Sequence, residues 1–433
     1  MELTKKEKVK YIRELDNKEG REELISFIST ESDADILVLI IKKLAQLEDE
    51  SLLPVYHQLV RENKHQQVRV NAIQAITKIK DVDVAKENLM VYLDDSNPEV
   101  VLQAIRGLVR FKNDEEIKLN LHLVYEVNSN EIVREIIEQE YKMNNNDSDT
   151  KKGHVEVDVR LKNKVIQGDT KDVMKELEDN SIHLTFTSPP YYNARDYSIY
   201  NSYEEYLDDM EEVFNEVHRL TKDGRFLIVN TSPVIVPRVD RKYSSKRFAI
   251  PYDLHNRLTK DGKWEFIDDI HWVKPDASVK NRVGGFSQFR KPLMYKPNSV
   301  TEQIMVYRKK SDRLMDWNIR AYSEKVVEQS LVTGDYDRLN VWEIAPSSDK
   351  THSAVFPYEL CERIVKYYSF KGDLVFDPFA GSGTLAQASL DKGRNIFKTE
   401  QMPEYVERIK EKLVKYEDVE YMTTEEFKEY YTE

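Results

Sequence analysis

With 433 residues the chain is long enough for two or three domains, and its net charge of −13 argues against a generally basic nucleic-acid-binding protein. Its composition, 40% hydrophobic and 33% charged with no apolar run long enough to cross a bilayer, is typical of a globular protein and argues against a membrane protein. A single cysteine excludes a disulfide framework and a multi-cysteine zinc site, and because no charged-then-apolar leader opens the sequence we expect a cytoplasmic protein.

An internal repeat with a period of 32 residues occupies the first 140 residues. One apolar column consists of Ile41, Ile73, Ile105 and Ile137, and a second apolar face consists of Leu59, Val91 and Leu123. Each unit reads as two amphipathic helices whose apolar faces are covered by stacking, as in an α-solenoid. The units resemble HEAT repeats, so residues 1–142 are predicted to form an all-α HEAT-like solenoid domain. Its charge is negative, which makes a protein a better expected partner than DNA.

Residues 143–153 are poor in apolar and rich in turn-forming residues, which predicts a linker. After the linker, apolar runs typical of strands alternate with helical stretches. The predicted strands are 164–167, 182–186, 225–229, 264–273, 303–307, 374–376 and 395–398, and the predicted helices include 203–220 and 354–368. This alternation indicates an α/β domain with a mostly parallel sheet over residues 154–433. Ligands of such sheets bind beyond the carboxyl ends of the strands.

Two prolines follow the predicted strand 182–186, in the stretch Thr187-Ser188-Pro189-Pro190-Tyr191. Since proline cannot continue a helix or a central strand, the stretch is predicted to form a rigid turn. A hydroxyl on one side and an aromatic ring on the other can hold a flat polar ring, such as a nucleobase. An ordinary strand-ending turn is the alternative for Ser-Pro-Pro considered alone.

A glycine-rich turn follows another predicted strand, in Asp377-Pro378-Phe379-Ala380-Gly381-Ser382-Gly383-Thr384. Glycines at a strand-to-helix turn let the backbone approach a ligand and leave helix N-terminal amides facing it. The lysine of a phosphate loop and the three-glycine dinucleotide spacing are both absent, which argues against a nucleoside triphosphate. Glu400 comes after the next strand, where an acid can accept both hydroxyls of a ribose.

Together the turn and the loop resemble the catalytic and cofactor motifs of the S-adenosylmethionine-dependent DNA amino methyltransferases, which modify cytosine N4 or adenine N6. The turn precedes the loop, as in the circularly permuted group called β. Three further segments match the family: Gln167-Gly168-Asp169 its adenine-contacting acid, 352–357 its methionine-side segment, and 270–275 the strand after the catalytic half. The resemblance covers about residues 154–433 and implies a Rossmann-like methyltransferase domain.

The resemblance implies S-adenosylmethionine as the cofactor and no metal, and the nine histidines show no ligand spacing. The implied cofactor-binding residues are Asp169, Thr187, His352, Phe356, Pro357, Asp377, Pro378, Phe379, Ala380, Gly381, Ser382, Gly383, Thr384 and Glu400.

The implied catalytic residues are Ser188, Pro189, Pro190 and Tyr191. An exocyclic amino nitrogen is a poor nucleophile, because its lone pair is delocalised into the ring. The Ser188 hydroxyl and the Pro189 carbonyl are candidate acceptors for its hydrogens, and Tyr191 would stack on the base. A base within a duplex cannot reach such a turn, so we expect it to be flipped out. Serine before Pro-Pro-Tyr is associated in this family mainly with cytosine N4, which we favour over adenine N6.

Target recognition is predicted within residues 237–345, because residues 237–320 hold 19 basic against 10 acidic residues. The candidate residues for binding double-stranded DNA are Arg238, Arg241, Lys242, Lys246, Arg247, Lys280, Arg282, Arg290 and Lys291. A solvated loop region is the alternative interpretation of this charge.

Two alternatives to a DNA methyltransferase of a restriction–modification or defence system stay open. A Pro-Pro-Tyr turn also accepts other planar amides, so RNA or a glutamine side chain is a candidate substrate. The other alternative is a scaffold in which only the solenoid functions. The presence of Ser188, Tyr191, Gly381 and Glu400 argues against the scaffold.

Overall fold

The computed structural model describes residues 4–141, 156–192, 200–236, 242, 245–311, 315–347 and 355–432. The chain divides into two compact units, residues 1–149 and 150–433. The predicted linker 143–153 lies outside the described residues. In the part of the chain that is described, no helix is long and apolar enough to span a membrane.

The first unit is helical over its described residues. Its helices are α1 (Lys5–Glu14), α2 (Arg21–Thr30), α3 (Ala34–Leu44), α4 (Leu53–Glu62), α5 (Gln66–Ile76), α6 (Val82–Met90), α7 (Pro98–Leu108), α8 (Glu115–Val127) and α9 (Glu131–Tyr141). The first helices of successive repeats, α3, α5 and α7, begin 32 residues apart. The predicted period therefore corresponds to helix pairs.

The apolar column that repeats every 32 residues is buried. The prediction of a second apolar face is wrong at two of its three positions. Ile41, Ile73, Ile105 and Ile137 are at most 1% exposed. Val91 and Leu123 are more than half exposed. Leu59 is buried as predicted, but in α6 and α8 the buried leucines are Leu89 and Leu121, two residues before the predicted positions.

The second unit alternates helices and strands. Its helices are α10 (Thr170–Met174), α11 (Tyr203–Leu220), α12 (Ile250–Thr259), α13 (Gly284–Phe289), α14 (Met315–Arg320), α15 (Glu324–Ser330), α16 (Tyr358–Tyr368), α17 (Thr384–Asp391), α18 (Pro403–Leu413) and α19 (Thr424–Thr432). Its strands are β1 (Lys164–Gln167), β2 (Ile182–Thr187), β3 (Thr221–Thr231), β4 (Val234–Val236), β5 (Lys246–Phe248), β6 (Trp264–Val273), β7 (Thr301–Lys309), β8 (Val341–Glu343), β9 (Leu374–Asp377), β10 (Asn395–Glu400) and β11 (Glu420–Thr423).

Over the described residues, nine of these strands form one sheet in the order β11-β1-β10-β9-β2-β3-β7-β6-β8, and β4 pairs with β5. Strand β7 is antiparallel to both of its neighbours, and the other neighbouring pairs of the large sheet are parallel. The prediction of a mostly parallel, Rossmann-like sheet is confirmed. Successive strand residues face opposite sides, so in β9 Phe376 packs in one core and Val375 in the other.

The sheet order brings the two sequence motifs together. Strands β2 and β9 are parallel neighbours, with Leu184 beside Val375 and Thr185 beside Phe376. Their carboxyl ends therefore lie at the same edge of the sheet. The turn after β2 and the loop after β9 meet there, although nearly two hundred residues separate them in the chain.

Candidate active site

A buried carboxylate links the turn to the loop. Asp377 at the end of β9 accepts a hydrogen bond from Thr187 Oγ1 at 2.7 Å and another from the Phe379 backbone N–H at 3.1 Å. Burial raises the pKa of Asp377, against the opposing effect of the Lys398 charge. Asp377 thus connects Thr187, the first residue of the turn, to the start of the glycine-rich loop.

The glycines of the loop have left-handed backbones, with φ of 52° at Gly381 and 74° at Gly383. A Cβ atom at Gly383 would lie 2.9 Å from Cγ1 of Ile409 in α18. Glycine at this position therefore lets the loop pack closely on α18. The Gly381 N–H donates a 2.7 Å hydrogen bond to Glu400 Oε2, which joins the loop to the end of β10.

The Glu400 carboxylate is held in place by backbone N–H groups on both of its oxygens. Its second oxygen accepts from the Met402 N–H at 2.9 Å. Burial raises the pKa of Glu400 to about 7, although its backbone hydrogen bonds act in the opposite direction. Each carboxylate oxygen keeps a further lone pair, so the ionised group can still accept hydroxyl donors.

The Ser188–Tyr191 turn follows β2 at the same edge. The Tyr191 hydroxyl lies 3.4 Å from Glu302 Oε2. Burial and the Glu302 charge raise the pKa of Tyr191 well above its ordinary value, while hydrogen bonds with Ser188 and Ser232 act in the opposite direction. Tyr191 is therefore a neutral phenol, suited to ring packing and hydrogen bonding rather than to proton abstraction.

Turn and loop line one cavity of about 430 Å³. Most of the residues predicted to bind cofactor or to act in catalysis line it: Asp169, Ser188, Pro189, Pro190, Tyr191, Phe356, Asp377, Pro378, Phe379, Ala380, Gly381, Ser382, Thr384 and Glu400. Thr187, Pro357 and Gly383 are not among its lining residues, and His352 lies outside the described residues. Phe356 stacks on Phe186 of β2 with ring centroids 4.7 Å apart.

Further polar residues line the cavity that we did not predict from the sequence. Asn230 at the end of β3, Lys274 after β6 and Glu302 in β7 surround Tyr191. Lys274 lies within 270–275, the segment that resembles the strand after the catalytic half of the family. That resemblance could have indicated Lys274. Asn230 follows a predicted strand at the ligand-binding edge. Glu302 had no such signal, because its position depends on the antiparallel direction of β7.

The predicted DNA-binding residues lie apart from the cavity lining. Lys242, Lys246, Arg247, Lys280, Arg290 and Lys291 are exposed and Arg282 is half-buried, while Arg238 and Arg241 lie outside the described residues. Lys280, Arg282, Arg290 and Lys291 form no ion pair with any residue that the structure describes. Their charge is available to a partner of the opposite sign.

Comparisons with known proteins match both units. A family model described as DNA methylase matches residues 182–411, more than half of the chain. A HEAT-repeat model matches residues 21–108, which confirms the predicted character of the helical unit.

Individual relatives share about a quarter to a third of the aligned residues. The type II beta methyltransferase M.BslI of Bacillus sp. (strain NEB-606) is 29% identical over 255 residues, covering 56% of this chain and 27% of the relative. M.Cfr9I of Citrobacter freundii, a type II methyltransferase, is 28% identical over 275 residues, covering 56% of this chain and 85% of the relative. The chain thus spans less than a third of one of these relatives and most of the other.

Among solved structures, a putative DNA modification methylase of Thermus thermophilus, complexed with S-adenosyl-L-methionine, is similar to this chain. It is 26% identical, with a TM-score of 0.47, and the match covers 60% of this chain and 98% of that one.

Proposed function

Because the chain belongs to the family of N6 and N4 DNA methylases, we propose that it transfers a methyl group from S-adenosylmethionine to an exocyclic amino group of a base in duplex DNA. The observation that carries the proposal is the single cavity shared by the Ser188–Tyr191 turn and the Asp377–Thr384 loop. A methyl donor held by the loop and a base held by the turn would meet within it.

S-adenosylmethionine, the cofactor expected from the sequence, is the cofactor of this family, and the residues present fit it. The cavity volume is within the range of small-ligand sites. Glu400, ionised, can accept the ribose hydroxyls, and the aromatic ring of Phe356 supplies an apolar wall. Asp169 reaches the same cavity from the start of α10, where it also caps the helix by accepting from the Lys171 N–H.

The residues of the turn bind the base and activate its amino group. When bound, the cofactor supplies an electrophilic methyl group. Ser188 Oγ and the Pro189 carbonyl accept hydrogen bonds from the amino group and favour a localised lone pair on nitrogen. The ring of Tyr191 packs against the base. Catalysis is then mainly positioning, with the amino nitrogen held in line with the methyl group.

We favour cytosine N4 as the target, in a base flipped out of the duplex, because serine stands before Pro-Pro-Tyr. Adenine N6 is the alternative within the family. A base stacked within a duplex cannot enter a cavity between the turn and the loop, so the proposed reaction requires base flipping. The expected role is modification in a restriction–modification or defence system, where methylated DNA resists a nuclease of the same specificity. The helical unit is proposed to bind a protein partner.

Methyl transfer to different substrates tests the proposal. The protein is incubated with methyl-labelled S-adenosylmethionine and with unmethylated duplex DNA, single strands, RNA or protein. We expect label mainly in duplex DNA. Label in RNA or protein alone would support the other substrate classes, and no label in any substrate would support the scaffold.

A further inference from the structure

The loop between β6 and β7 starts and ends at the rim of the cavity. Residues 274–300 join the two strands and form this β6–β7 loop. Lys274 at its start and Glu302, just after its end, both line the cavity and form an ion pair with each other. The Lys274 N–H also donates to the Val300 carbonyl oxygen at 2.8 Å. Both ends of the loop are therefore fixed beside the proposed site of methyl transfer.

Hydrogen bonds hold the two sides of the loop together. The Arg282 N–H donates to Asn298 Oδ1 at 2.6 Å, and Asn298 Nδ2 donates to Asp276 Oδ1 at 2.7 Å. The Arg282 guanidinium donates to Ser299 Oγ at 2.8 Å. Residues 283–297 therefore form a tip beyond a closed stem, and the tip includes α13.

The tip presents apolar side chains to solvent. Leu293 is fully exposed, Phe289 and Tyr295 are more than half exposed, and Met294 is 39% exposed. Single exposed apolar residues are common on protein surfaces, but these four lie close together in one short segment. Apolar surface exposed in this way is typical of an interaction site.

The backbone of Leu293 is in an unusual conformation for leucine. Its φ is 68°, in the left-handed region, where the Cβ atom of an L-residue comes too close to the following carbonyl oxygen. Glycine adopts this conformation without that cost. A turn alone would favour glycine here, so a leucine at this position indicates a role for its side chain.

The charge of the loop indicates the partner. Residues 277–300 contain five basic residues and no acidic ones. Arg290 and Lys291, shortly before Leu293, are both exposed. Apolar side chains among cations match duplex DNA, in which phosphates surround stacked, apolar base faces. Proteins that bend or open DNA insert such side chains, leucine among them, between neighbouring bases.

We propose that Leu293 enters the base stack of the duplex at the place that the target base leaves when it turns into the cavity. Flipping breaks the stacking on both sides of that base and leaves a gap in the duplex. An apolar side chain in the gap removes the neighbouring base faces from water and thereby stabilises the flipped state. Arg290 and Lys291 contact the adjoining phosphates. This inference rests on the proposed function.

The test is Leu293→Ala, which removes the part of the side chain that fills the gap. Once the methylated base has been mapped, methyl transfer is measured on a duplex with that target. We expect kcat/KM to fall by about tenfold, because the lost apolar contact area is worth about that factor. The dissociation constant for S-adenosylmethionine should be unchanged, since Leu293 does not line the cavity.

Val414→Ala is the control for the loss of an exposed aliphatic side chain. Val414 is 81% exposed, directly follows α18 in the same unit and does not line the cavity. This variant should keep the wild-type kcat/KM.

A modified duplex separates gap filling from a structural role of Leu293. It carries a pyrene group in place of the base opposite the target, and this wide aromatic ring fills the gap by itself. On this duplex Leu293→Ala should reach a kcat/KM within about twofold of wild type, because the flipped state no longer needs the leucine. A defect in the fold of the loop would not be rescued in this way.

Wild-type protein is assayed in parallel on both duplexes. A full kcat/KM of Leu293→Ala on the normal duplex, or an equal loss on the pyrene duplex, would overturn the role of Leu293 and leave the proposed function intact. No methyl transfer by wild type on either duplex would refute the proposed function itself.

Discussion

The Ser188 hydroxyl is the side-chain acceptor that we propose for the amino group of the base. Removing it in Ser188→Ala should abolish most methyl transfer, because the nitrogen lone pair is then no longer localised by that contact. Cofactor affinity should stay close to wild type, since the loop that holds the cofactor is tied to β2 through Thr187 and not through Ser188. Transfer of label to DNA and equilibrium dialysis of the cofactor measure the two effects.

Ser181→Ala is the control for this variant. Ser181 directly precedes β2, at the end away from the cavity, and it does not line the cavity. Loss of cofactor binding in Ser188→Ala would count against the catalytic role assigned to Ser188.

The proposed role of Glu400 predicts that cofactor binding depends on pH. Burial raises its pKa to about 7, above the ordinary value for glutamate. If the ionised carboxylate accepts the ribose hydroxyls, binding favours deprotonation, so affinity should rise between about pH 6 and pH 8. Calorimetric titration with S-adenosylmethionine across this range measures the effect.

In Glu400→Gln the contribution of this group to the pH dependence should disappear, and binding should weaken because the new NH₂ faces a backbone N–H. Subtracting the pH dependence of the variant's affinity from that of wild type removes the contribution of ionisable groups on the ligand. Equal pH slopes for wild type and variant would contradict the role of Glu400.

The junction of the glycine-rich loop with α17 depends on Gly383. Gly383→Ala should lower the free energy of unfolding of the second unit by about 2–3 kcal/mol, because a left-handed alanine is strained and its Cβ would lie 2.9 Å from Ile409. Tryptophan fluorescence during urea unfolding reports on this unit alone, since all four tryptophans lie in it.

Gly372→Ala is the matched comparison. Gly372 also has a left-handed backbone, with φ of 85°, but a Cβ there meets no atom within 4 Å. Its substitution should cost about 1 kcal/mol from strain alone. Equal losses in the two variants would show that the contact with Ile409 does not matter.

Elements with a strong local pattern could be predicted from the sequence. Helix α11 runs over the predicted residues 203–220, because a continuous apolar stripe is preceded by Ser202, whose hydroxyl caps it by accepting from the Glu205 N–H. Strands β8 and β11 were not predicted. They have only three and four residues, too few to show a periodic pattern, and each pairs in parallel with a longer or central strand, β6 or β1.

The same distinction applies to the site. Ser188–Tyr191 and Asp377–Thr384 are contiguous in the chain, so their chemistry could be predicted from neighbouring residues. Asn230 and Glu302 come together only through the pairing of β3 with an antiparallel β7. No local pattern indicates that register, and the group around Glu302 could therefore not be predicted from the sequence.

Charge is unevenly distributed along the chain. The helical unit is acidic, while residues 277–300 contain five basic residues and no acidic ones. Replacing Lys280, Arg282, Arg290 and Lys291 together by glutamine should weaken binding to duplex DNA and reduce the slope of log affinity against log salt, because fewer counterions are released. Fluorescence anisotropy with a labelled duplex at several salt concentrations measures both.

The control for charge alone replaces four exposed lysines of the helical unit by glutamine in the same way: Lys6, Lys10, Lys42 and Lys112. It should leave the salt slope unchanged. An unchanged slope in the first variant would identify its four residues as solvated surface charges.

The cavity shared by the turn and the loop is proposed to support amino methylation of DNA. The most direct measurement is mass spectrometry of nucleosides from unmethylated duplex DNA after incubation with the protein and S-adenosylmethionine, with Ser188→Ala in parallel. We expect N4-methyldeoxycytidine with wild type and little or none with the variant. N6-methyldeoxyadenosine would correct the target base alone. A wild-type protein that binds S-adenosylmethionine and leaves every nucleoside of the duplex unmethylated would contradict the claim.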